Sequence, residues 1–401
     1  FPAGALAAAA VIGAAVRRSG VAAALAVLLA TGAALGTVTS RSDARCAREI
    51  EAAGAATIRL REDARPGQTA RGHALAPGCV VPVRVRSVSG TGAAGALVRV
   101  VGEARREGMR VSIPAARLRV LAGPGLLARW RERTGALIDS LYGDQAPLAR
   151  ALLIADERDI SPAIRRQFAD AGIIHMLSVS GLHVAVLAEA VVLALLIGGA
   201  SIRRAEAAAV LIVVVFVAFV GAPSPAVRSA AMFSVLVVSR RMQRPTSPWA
   251  ILALGALIPL AQPRVAGEIG YQLSVVGMAG LIASGALVRR LPMDRVPRAL
   301  RRVSRELLAT VVASVATAPI VAWHFGRVSL AAPLTNLAAA PLFGLAQPAL
   351  FLSLALAPVR PAARLVADGA QVLLAGIERI GVAGAAIPAS ALDVMPSAPT
   401  A

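Results

Sequence analysis

Residues 172–199 read GIIHMLSVSGLHVAVLAEAVVLALLIGG, and this stretch decides the fold class of the chain. It is long and apolar enough to cross a bilayer, which takes about 20 apolar residues. It nevertheless carries a group of polar side chains, His175, Ser178, Ser180, His183 and Glu189. Polar groups at membrane depth are costly and usually face a bundle interior or a wet path. The stretch therefore predicts a functional element inside a membrane domain.

The composition of the whole chain points the same way. Hydrophobic residues make up 57% of the 401 residues, and the mean hydropathy is +0.70, more than a soluble core needs. Repeated apolar runs predict a polytopic α-helical membrane protein with about 10 transmembrane segments. The runs lie at residues 2–16, 20–38, 172–199, 207–221, 226–239, 248–262, 271–288, 307–323, 331–357 and 365–387.

The arginines predict which loops face the cytoplasm. If residues 17–18 are cytoplasmic and the chain crosses at each run, five loops on that side carry sixteen arginines, against Arg264 and Arg327 outside. This asymmetry obeys the positive-inside rule and explains much of the formal charge of +20 without any ligand. We expect a multi-pass protein with a transmembrane hairpin at residues 1–38. The chain begins at Phe1 without a Met, so we also expect it to be part of a longer chain.

Residues 39–133 are polar and differ from the rest of the chain. Alternating runs, such as ATIRL at residues 56–60 and VPVRVR at residues 81–86, predict a small β-rich, barrel-like domain on the extracytoplasmic side. Both cysteines lie in it, so a Cys46–Cys79 disulfide is one interpretation and two unpaired thiols are the other. Its 18 arginines against 8 acidic residues suit either contact with a nucleic-acid backbone or a merely solvated surface.

Two further segments complete the predicted domain organisation. Residues 134–170 are amphipathic and predict helices that lie along the membrane surface or cap the bundle. Residues 171–390 form the predicted transmembrane channel domain. Within it, the prolines at positions 333, 341 and 348 predict an interrupted helix. Irregular backbone at membrane depth survives only where it is buried in protein or lines a wet cavity, so these breaks favour a transport path.

The central motif HMLSVSGLHV, residues 175–184, allows three interpretations. Ser180 and His183 are three residues apart and share a helix face, as the nucleophile and base of an intramembrane hydrolase would. This interpretation is the least favoured, because no acidic residue orients the histidine. In the second, the motif lines a pore or a hinge. In the third, its Ser, Gly and His hydrogen-bond neighbouring helices in a packed bundle.

Four motifs in order resemble the ComEC-type DNA-internalisation (competence) family. Residues 151–187, ALLIADERDISPAIRRQFADAGIIHMLSVSGLHVAVL, resemble its ALL-x-G-(D/E)-R segment and AGxxHLLxVSGLH core. The later motifs are GAPSPAVRSAAMFSVLVV at residues 221–238, YQLSVVGMAGL at residues 271–281 and VATAPIVAWHFGRVSLAAPLTNLAAAPLFG at residues 315–344. The resemblance covers residues 148–348. Ala155 departs from it, because the family usually has Gly at this position.

The resemblance implies a channel component that passes single-stranded DNA across a bacterial inner membrane into the cytoplasm during natural transformation. It implies an OB-like fold for the outside β domain, and as partners DNA, the lipid bilayer, a DNA-uptake receptor and a cytoplasmic ATPase, with a homo-oligomer as a further option. The implied site residues are those of the central motif and of the matching motifs, namely His175, Ser178, Ser180, Gly181, His183, Arg228, Gln272, His324 and Asn336.

Other functions are weighed against this one. Many family members continue into a metallo-β-lactamase-like nuclease domain, but this sequence has no HxHxDH cluster and its four histidines show no metal-ligand spacing. We therefore expect no enzyme activity, metal or cofactor. A secondary transporter for a small solute would suit buried polar residues equally well, although no inverted repeat is evident. Arg228 has two structural interpretations, pairing with Glu189 across helices or snorkelling to the outer surface.

Overall fold

The computed structural model describes residues 38, 41–76, 79–107, 110–244, 246–292 and 296–394. The described chain divides between Thr134 and Gly135 into two compact units, here named the β unit and the helical unit. The predicted hairpin at residues 1–38 lies outside the described residues, apart from Val38.

The β unit is a helix followed by a barrel of short strands. Helix α1 covers residues 41–53, and the strands are β1 Ala55–Leu60, β2 Thr69–Ala76, β3 Cys79–Ser89, β4 Leu97–Val101, β5 Arg105–Glu107 and β6 Arg110–Ala122. The strand order is β3-β2-β1-β4-β6-β5, and β6 also pairs in parallel with β3. Five strands therefore close into a ring of hydrogen bonds.

Alternation along β3 explains why the barrel forms. Val81, Val83 and Val85 point into the core and are at most 2% exposed. The alternating positions Arg84 and Arg86 are exposed. Successive side chains of a strand face opposite sides, so this pattern gives one apolar and one basic surface. The predicted β-rich, barrel-like domain is confirmed.

The helical unit consists of helices with one small two-stranded sheet. The helices are α2 Leu126–Tyr142, which contains the boundary between the units, α3 Ala146–Ile154, α4 Pro162–Asp170, α5 Gly181–Ile197, α6 Ile202–Phe219, α7 Ser224–Arg241, α8 Pro248–Leu257, α9 Ile269–Val288, α10 Arg298–Phe325, α11 Ala332–Ala355 and α12 Arg360–Ala385. Strands β7 Arg327–Ser329 and β8 Ala391–Asp393 pair in antiparallel fashion. One large apolar core includes residues of α2, α3, α4, α11 and α12, and a second includes residues of α5, α6 and α7.

Three of the described helices are long and apolar enough to cross a membrane. They are α9, α11 and the part Leu300–Phe325 of α10, whereas α5 and Pro248–Ala261 are apolar but shorter. Helices α6 and α7 have 18 residues each, but charged residues near their ends, such as Arg203 and Arg241, shorten their apolar parts. The structure therefore supports a helix-rich membrane protein with three clear spans, and it does not confirm the predicted number of about 10.

One helix of the segment that was predicted to lie along the membrane surface or to cap the bundle is buried. In α3, Leu152, Leu153 and Ile154 are at most 3% exposed and belong to the large core. The α3 sequence, APLARALLI, is apolar on all sides except at Arg150, and such a helix is buried rather than half-exposed. Burial of α3 suits the alternative in which this segment caps the bundle, and the position of residues 134–170 relative to a membrane stays a prediction. Helix α4 buries only Phe168.

The predicted interruption at residues 331–357 is also wrong. Helix α11 is continuous from Ala332 to Ala355 with Pro341 and Pro348 inside it. A proline removes one backbone hydrogen bond, but a helix packed among others tolerates this loss, and α11 packs against α10 and α12. Residues 172–180, before α5, are one of the stretches of the helical unit where the backbone is irregular.

Helix α3 ends at a left-handed residue. Ala155 has φ 54° and ψ 36°, and its N–H donates to the Arg150 carbonyl. The Asp156 carboxylate that follows lies 2.7 Å from Arg158 and 3.5 Å from Arg150. Burial raises the pKa of Asp156, but hydrogen bonds and charge from Arg158, and then Arg150, lower it overall. The ion pairs fix a turn for which glycine is the preferred residue.

We expect Ala155→Gly to stabilise the helical unit by about 0.5–1 kcal/mol, because glycine adopts the left-handed conformation without a Cβ clash. The thermal unfolding midpoint of the purified protein in detergent measures this effect. Ala169→Gly at an exposed position of α4 is the control and should cost up to about 1 kcal/mol. A lower midpoint for Ala155→Gly would contradict the prediction.

Candidate functional site

The central motif lies where the chain is not helical. Gly172 has φ 76°, and an added Cβ there would lie only 2.4 Å from the Ala332 Cβ of α11. A short 3-10 turn, Ile174–Met176, follows, and α5 begins at Gly181. The predicted membrane segment at residues 172–199 therefore starts as irregular backbone held against α11, and only its second part is α-helix.

Ser180 and His183 cap the start of α5. The Ser180 Oγ accepts the Leu182 N–H at 3.3 Å, and the His183 Nδ1 accepts the Ser180 N–H at 3.1 Å. The Nδ1 also lies 3.1 Å from the Ser180 Oγ. Because Nδ1 accepts a backbone N–H, the neutral imidazole carries its proton on Nε2. The three-residue spacing is therefore that of a capping box, in which each residue satisfies the backbone of the other.

The other side of the His183 ring is apolar. Its Nε2 is buried and has no hydrogen-bond partner among the described residues. The ring packs edge-on against Phe343 of α11, with 5.0 Å between ring centroids. A hydrolytic Ser–His pair needs a further group that orients the imidazole, and the described residues place none at Nε2. The geometry favours the capping role.

His175 and Ser178 lie on the accessible side of the irregular segment. Both side chains are exposed, and the Ser178 Oγ donates to the His175 carbonyl at 3.2 Å. The segment thus presents an imidazole and a hydroxyl at its surface just before the start of α5.

Gly181 brings α5 into close contact with α7. A Cβ on Gly181 would lie 2.4 Å from the Ser229 Oγ and 3.5 Å from the Arg228 Nη2. Only a residue without a side chain permits this approach. Of the predicted site residues, the structure therefore places Gly181 beside Arg228, with Ser180 and His183 in the same helix start.

Arg228 is buried, and its hydrogen-bond partners among the described residues are neutral. It is 2% exposed, so the snorkelling interpretation is wrong. Its Nε and Nη2 donate to the Ser274 Oγ at 3.0 and 2.6 Å, and weaker contacts reach the Ser229 Oγ at 3.4 Å and the Met232 Sδ at 2.7 Å. The predicted partner Glu189 is exposed and does not contact Arg228, so that prediction is also wrong.

Three helix starts meet around this guanidinium. Helix α5 begins at Gly181, and α7 begins one turn before Arg228. Helix α9 begins about one turn before Ser274, whose Oγ accepts from the Arg228 Nε. A Cβ on Gly270 would lie 3.5 Å from the Pro225 Cγ, so the starts of α7 and α9 are adjacent. Each helix N-terminus acts as roughly half a positive charge. We name this cluster of Gly181, Arg228, Ser229 and Ser274 the Arg228 junction.

Three predicted site residues make their contacts elsewhere. The Gln272 Nε2 donates to the Ala266 carbonyl at 3.0 Å, and the Asn336 Nδ2 donates to the Ala332 carbonyl of its own helix at 2.7 Å. His324 is half-buried in the last turn of α10. The structure does not bring these side chains into contact with the Arg228 junction.

The sequence reasoning missed Ser229 and Ser274. Each is a hydroxyl within an otherwise apolar run, and such residues often bond across helices in membranes, which was the available signal. It also missed Gln347 of α11, which is fully buried. Its Nε2 donates to the Leu152 carbonyl at 3.3 Å, and its Oε1 has no partner among the described residues.

The β unit carries a basic surface. Arg71 pairs in register with Arg84, and Arg99 with Arg119, and all four side chains are exposed. Only Arg71 among these four has an ion pair in the described chain, with Glu62 at 3.7 Å. Like charges directly opposite each other destabilise a sheet, so this face suits contact with an anionic polymer.

Comparisons with known proteins agree with the resemblance of the motifs. The family model described as "Competence protein" matches residues 152–401. ComE operon protein 3 of Bacillus subtilis (strain 168) is 23% identical over 201 residues. This match covers 50% of the chain and 25% of the length of that relative. No solved structure matches the chain.

We expect Gly181→Ala to destabilise the helical unit by about 1–3 kcal/mol, because its Cβ overlaps the Ser229 Oγ and separates α5 from α7. Gly198→Ala at the other end of α5 is the matched control, since its Cβ meets no atom closer than 3.5 Å. Adding Ser229→Ala should restore part of the loss. Thermal unfolding in detergent measures all of these variants, and equal midpoints for Gly181→Ala and Gly198→Ala would contradict the close contact.

Proposed function

Because the chain belongs to the competence protein family, we propose that it is a membrane channel component that passes single-stranded DNA into the cytoplasm during natural transformation. Family membership points to a role in competence DNA uptake. Beyond this role, we propose that a single DNA strand passes through this chain. We also propose that it acts by transport without catalysis, in a bacterial inner membrane, together with a DNA receptor and a cytoplasmic ATPase.

The observation that carries this proposal is the irregular segment at residues 172–180. Non-helical backbone in a membrane bundle is stable where it is buried in protein or lines a hydrated cavity. Here it exposes His175 and Ser178 and leads into the start of α5. Hydroxyls, imidazoles and helix N-termini attract a polyanion weakly, so that it enters the passage and also leaves it.

The β unit supports the proposal as a receiving surface outside the cytoplasm. Its closed order of five strands is that of a small barrel, and we propose that it is OB-like. Its paired arginines would follow a nucleic-acid backbone. Base stacking would contribute little, because Trp130 is the only tryptophan before the helical unit.

We further propose that this unit contains a Cys46–Cys79 disulfide, as an oxidising compartment would permit. Cys46 is 4% exposed, whereas the side chain of Cys79 lies outside the described residues. These are the two cysteines of the chain. Alkylation of the denatured protein should therefore label no thiol before reduction and two after it, and labelling before reduction would contradict the pairing.

Two variants, each with one introduced cysteine, test the transport function. We expect a bulky, membrane-impermeant thiol reagent on Ser178→Cys to lower import of labelled DNA by about tenfold or more, because the residue lies on the proposed path. Ser140→Cys, at an exposed position of α2, is the matched control and should import normally after labelling. Import is measured as nuclease-protected DNA inside cells.

Deletion of the gene completes the test. DNA import should be lost, whereas transformation by electroporation, which bypasses the path, should persist. Normal DNA import with loss of the uptake of a small solute would overturn the proposal in favour of a secondary transporter. Unchanged import after labelling of Ser178→Cys would remove residues 172–180 from the path.

A further inference from the structure

The charge of Arg228 is not compensated by the residues that surround it. Its described partners are two hydroxyls and a thioether, and none of these is an anion. A buried charge is costly unless it is paired and hydrogen-bonded. Serine hydroxyls orient the guanidinium, but they do not neutralise it. The free protein therefore holds a cation at an electrostatic cost.

The helix starts increase this cost. The first turns of α5, α7 and α9 lie near the guanidinium, and each adds partial positive charge there. A cation is favourable at the C-terminal end of a helix and unfavourable at its N-terminal end. Three N-termini around one arginine therefore form an arrangement that is stable with an anion and unfavourable without one.

Other arginines of the helical unit show the usual arrangement. Arg150 lies 2.8 Å from Asp139 and 3.2 Å from Asp159. Arg240 lies 3.1 Å from the largely buried Glu206. Of these two arginines, Arg150 is the more deeply buried and has the more carboxylate partners in the described chain. Arg228 is buried more deeply than either, and no carboxylate among the described residues contacts it.

We propose that the Arg228 junction is a phosphate-binding subsite for the backbone of the transported DNA strand, an inference that rests on the proposed function. Ser274 holds the Nε edge of the guanidinium, whereas the Ser229 Oγ lies 3.4 Å from Nη2 and the thioether of Met232 is a poor hydrogen-bond acceptor. A phosphate oxygen takes their place on the guanidinium next to the first turn of α5. Guanidinium groups and helix N-termini both favour phosphate oxygens, and recognition of phosphate is independent of base sequence.

Gly181 and Ser229, which lie next to the guanidinium, are only half-buried. The contact between α5 and α7 is too close there to admit a phosphate group, so binding requires these two helices to separate. A single such subsite slows a strand without trapping it, because conduction needs binding that is also released.

Binding is tested on the purified full chain in neutral detergent at constant ionic strength. Inorganic phosphate and a short oligothymidylate should each raise the thermal unfolding midpoint by about 2–4 °C relative to chloride. An oligothymidylate with a neutral methylphosphonate backbone should have no effect. Phosphatidylglycerol added in place of phosphatidylcholine tests the other source of phosphate, and protection by this lipid but not by oligothymidylate would overturn the assignment to DNA.

Replacement of Arg228 separates a binding role from a structural one. Arg228→Met should raise the midpoint of the ligand-free protein, remove the shift caused by phosphate and lower DNA import by about tenfold. The matched control is Arg240→Met, which leaves Glu206 unpaired and should lower the midpoint while keeping the phosphate shift. A lower midpoint for Arg228→Met with the phosphate shift retained would overturn the proposal and make Arg228 a structural residue.

The subsite and the proposed function fail in distinguishable ways. If deletion of the gene abolishes import but Arg228→Met imports normally, the function stands and the subsite is overturned. If phosphate protects the wild-type protein and not Arg228→Met while deletion leaves import intact, the anion site stands and its assignment to DNA transport is overturned.

Discussion

A membrane bundle offers few partners to a polar group, and this constraint governs the helical unit. A buried donor is costly unless it finds an acceptor on a neighbouring helix or at a helix end, and the His183 Nε2 is an exception among the described residues. Two close contacts between segments of the unit follow from it. Gly181 has no side chain because α5 meets α7 there, and Gly172 has none because the irregular segment lies against α11. The side chains of Ser180 and His183 accept backbone N–H groups at the start of α5 that would otherwise have no hydrogen-bond partner.

The basic face of the barrel and the buried Arg228 differ in how they attract an anion. The arginines of the barrel are many, exposed and surrounded by water, so salt screens their attraction for an anion. Arg228 is one buried charge in a region of low dielectric, where screening is weak and each hydrogen bond is stronger. The first kind of surface concentrates a polymer, whereas the second can hold a single group of it in position.

The sequence predicted features that depend on local patterns. The alternation at residues 81–86 predicted the barrel, and the polar residues in an apolar stretch marked the segment before α5. The features that it did not predict depend on long-range packing. The prolines of α11 are tolerated because neighbouring helices surround them, and α3 is buried because the core closes over both of its faces. Arg228 and Ser274 are 46 residues apart in the sequence, and their contact joins two helices. Helical periodicity does not reveal which helices are neighbours.

The closure of the barrel limits how the β unit recognises anything. Strands β1, β2, β3, β4 and β6 each pair with a neighbour on both sides over much of their length, so little of their backbone edge is open to a foreign strand. Peptide capture by β-augmentation and fibril growth by edge-to-edge stacking are therefore disfavoured at these strands. What remains is recognition by outward side chains, a mode that tolerates a partner whose chemical identity repeats along its length.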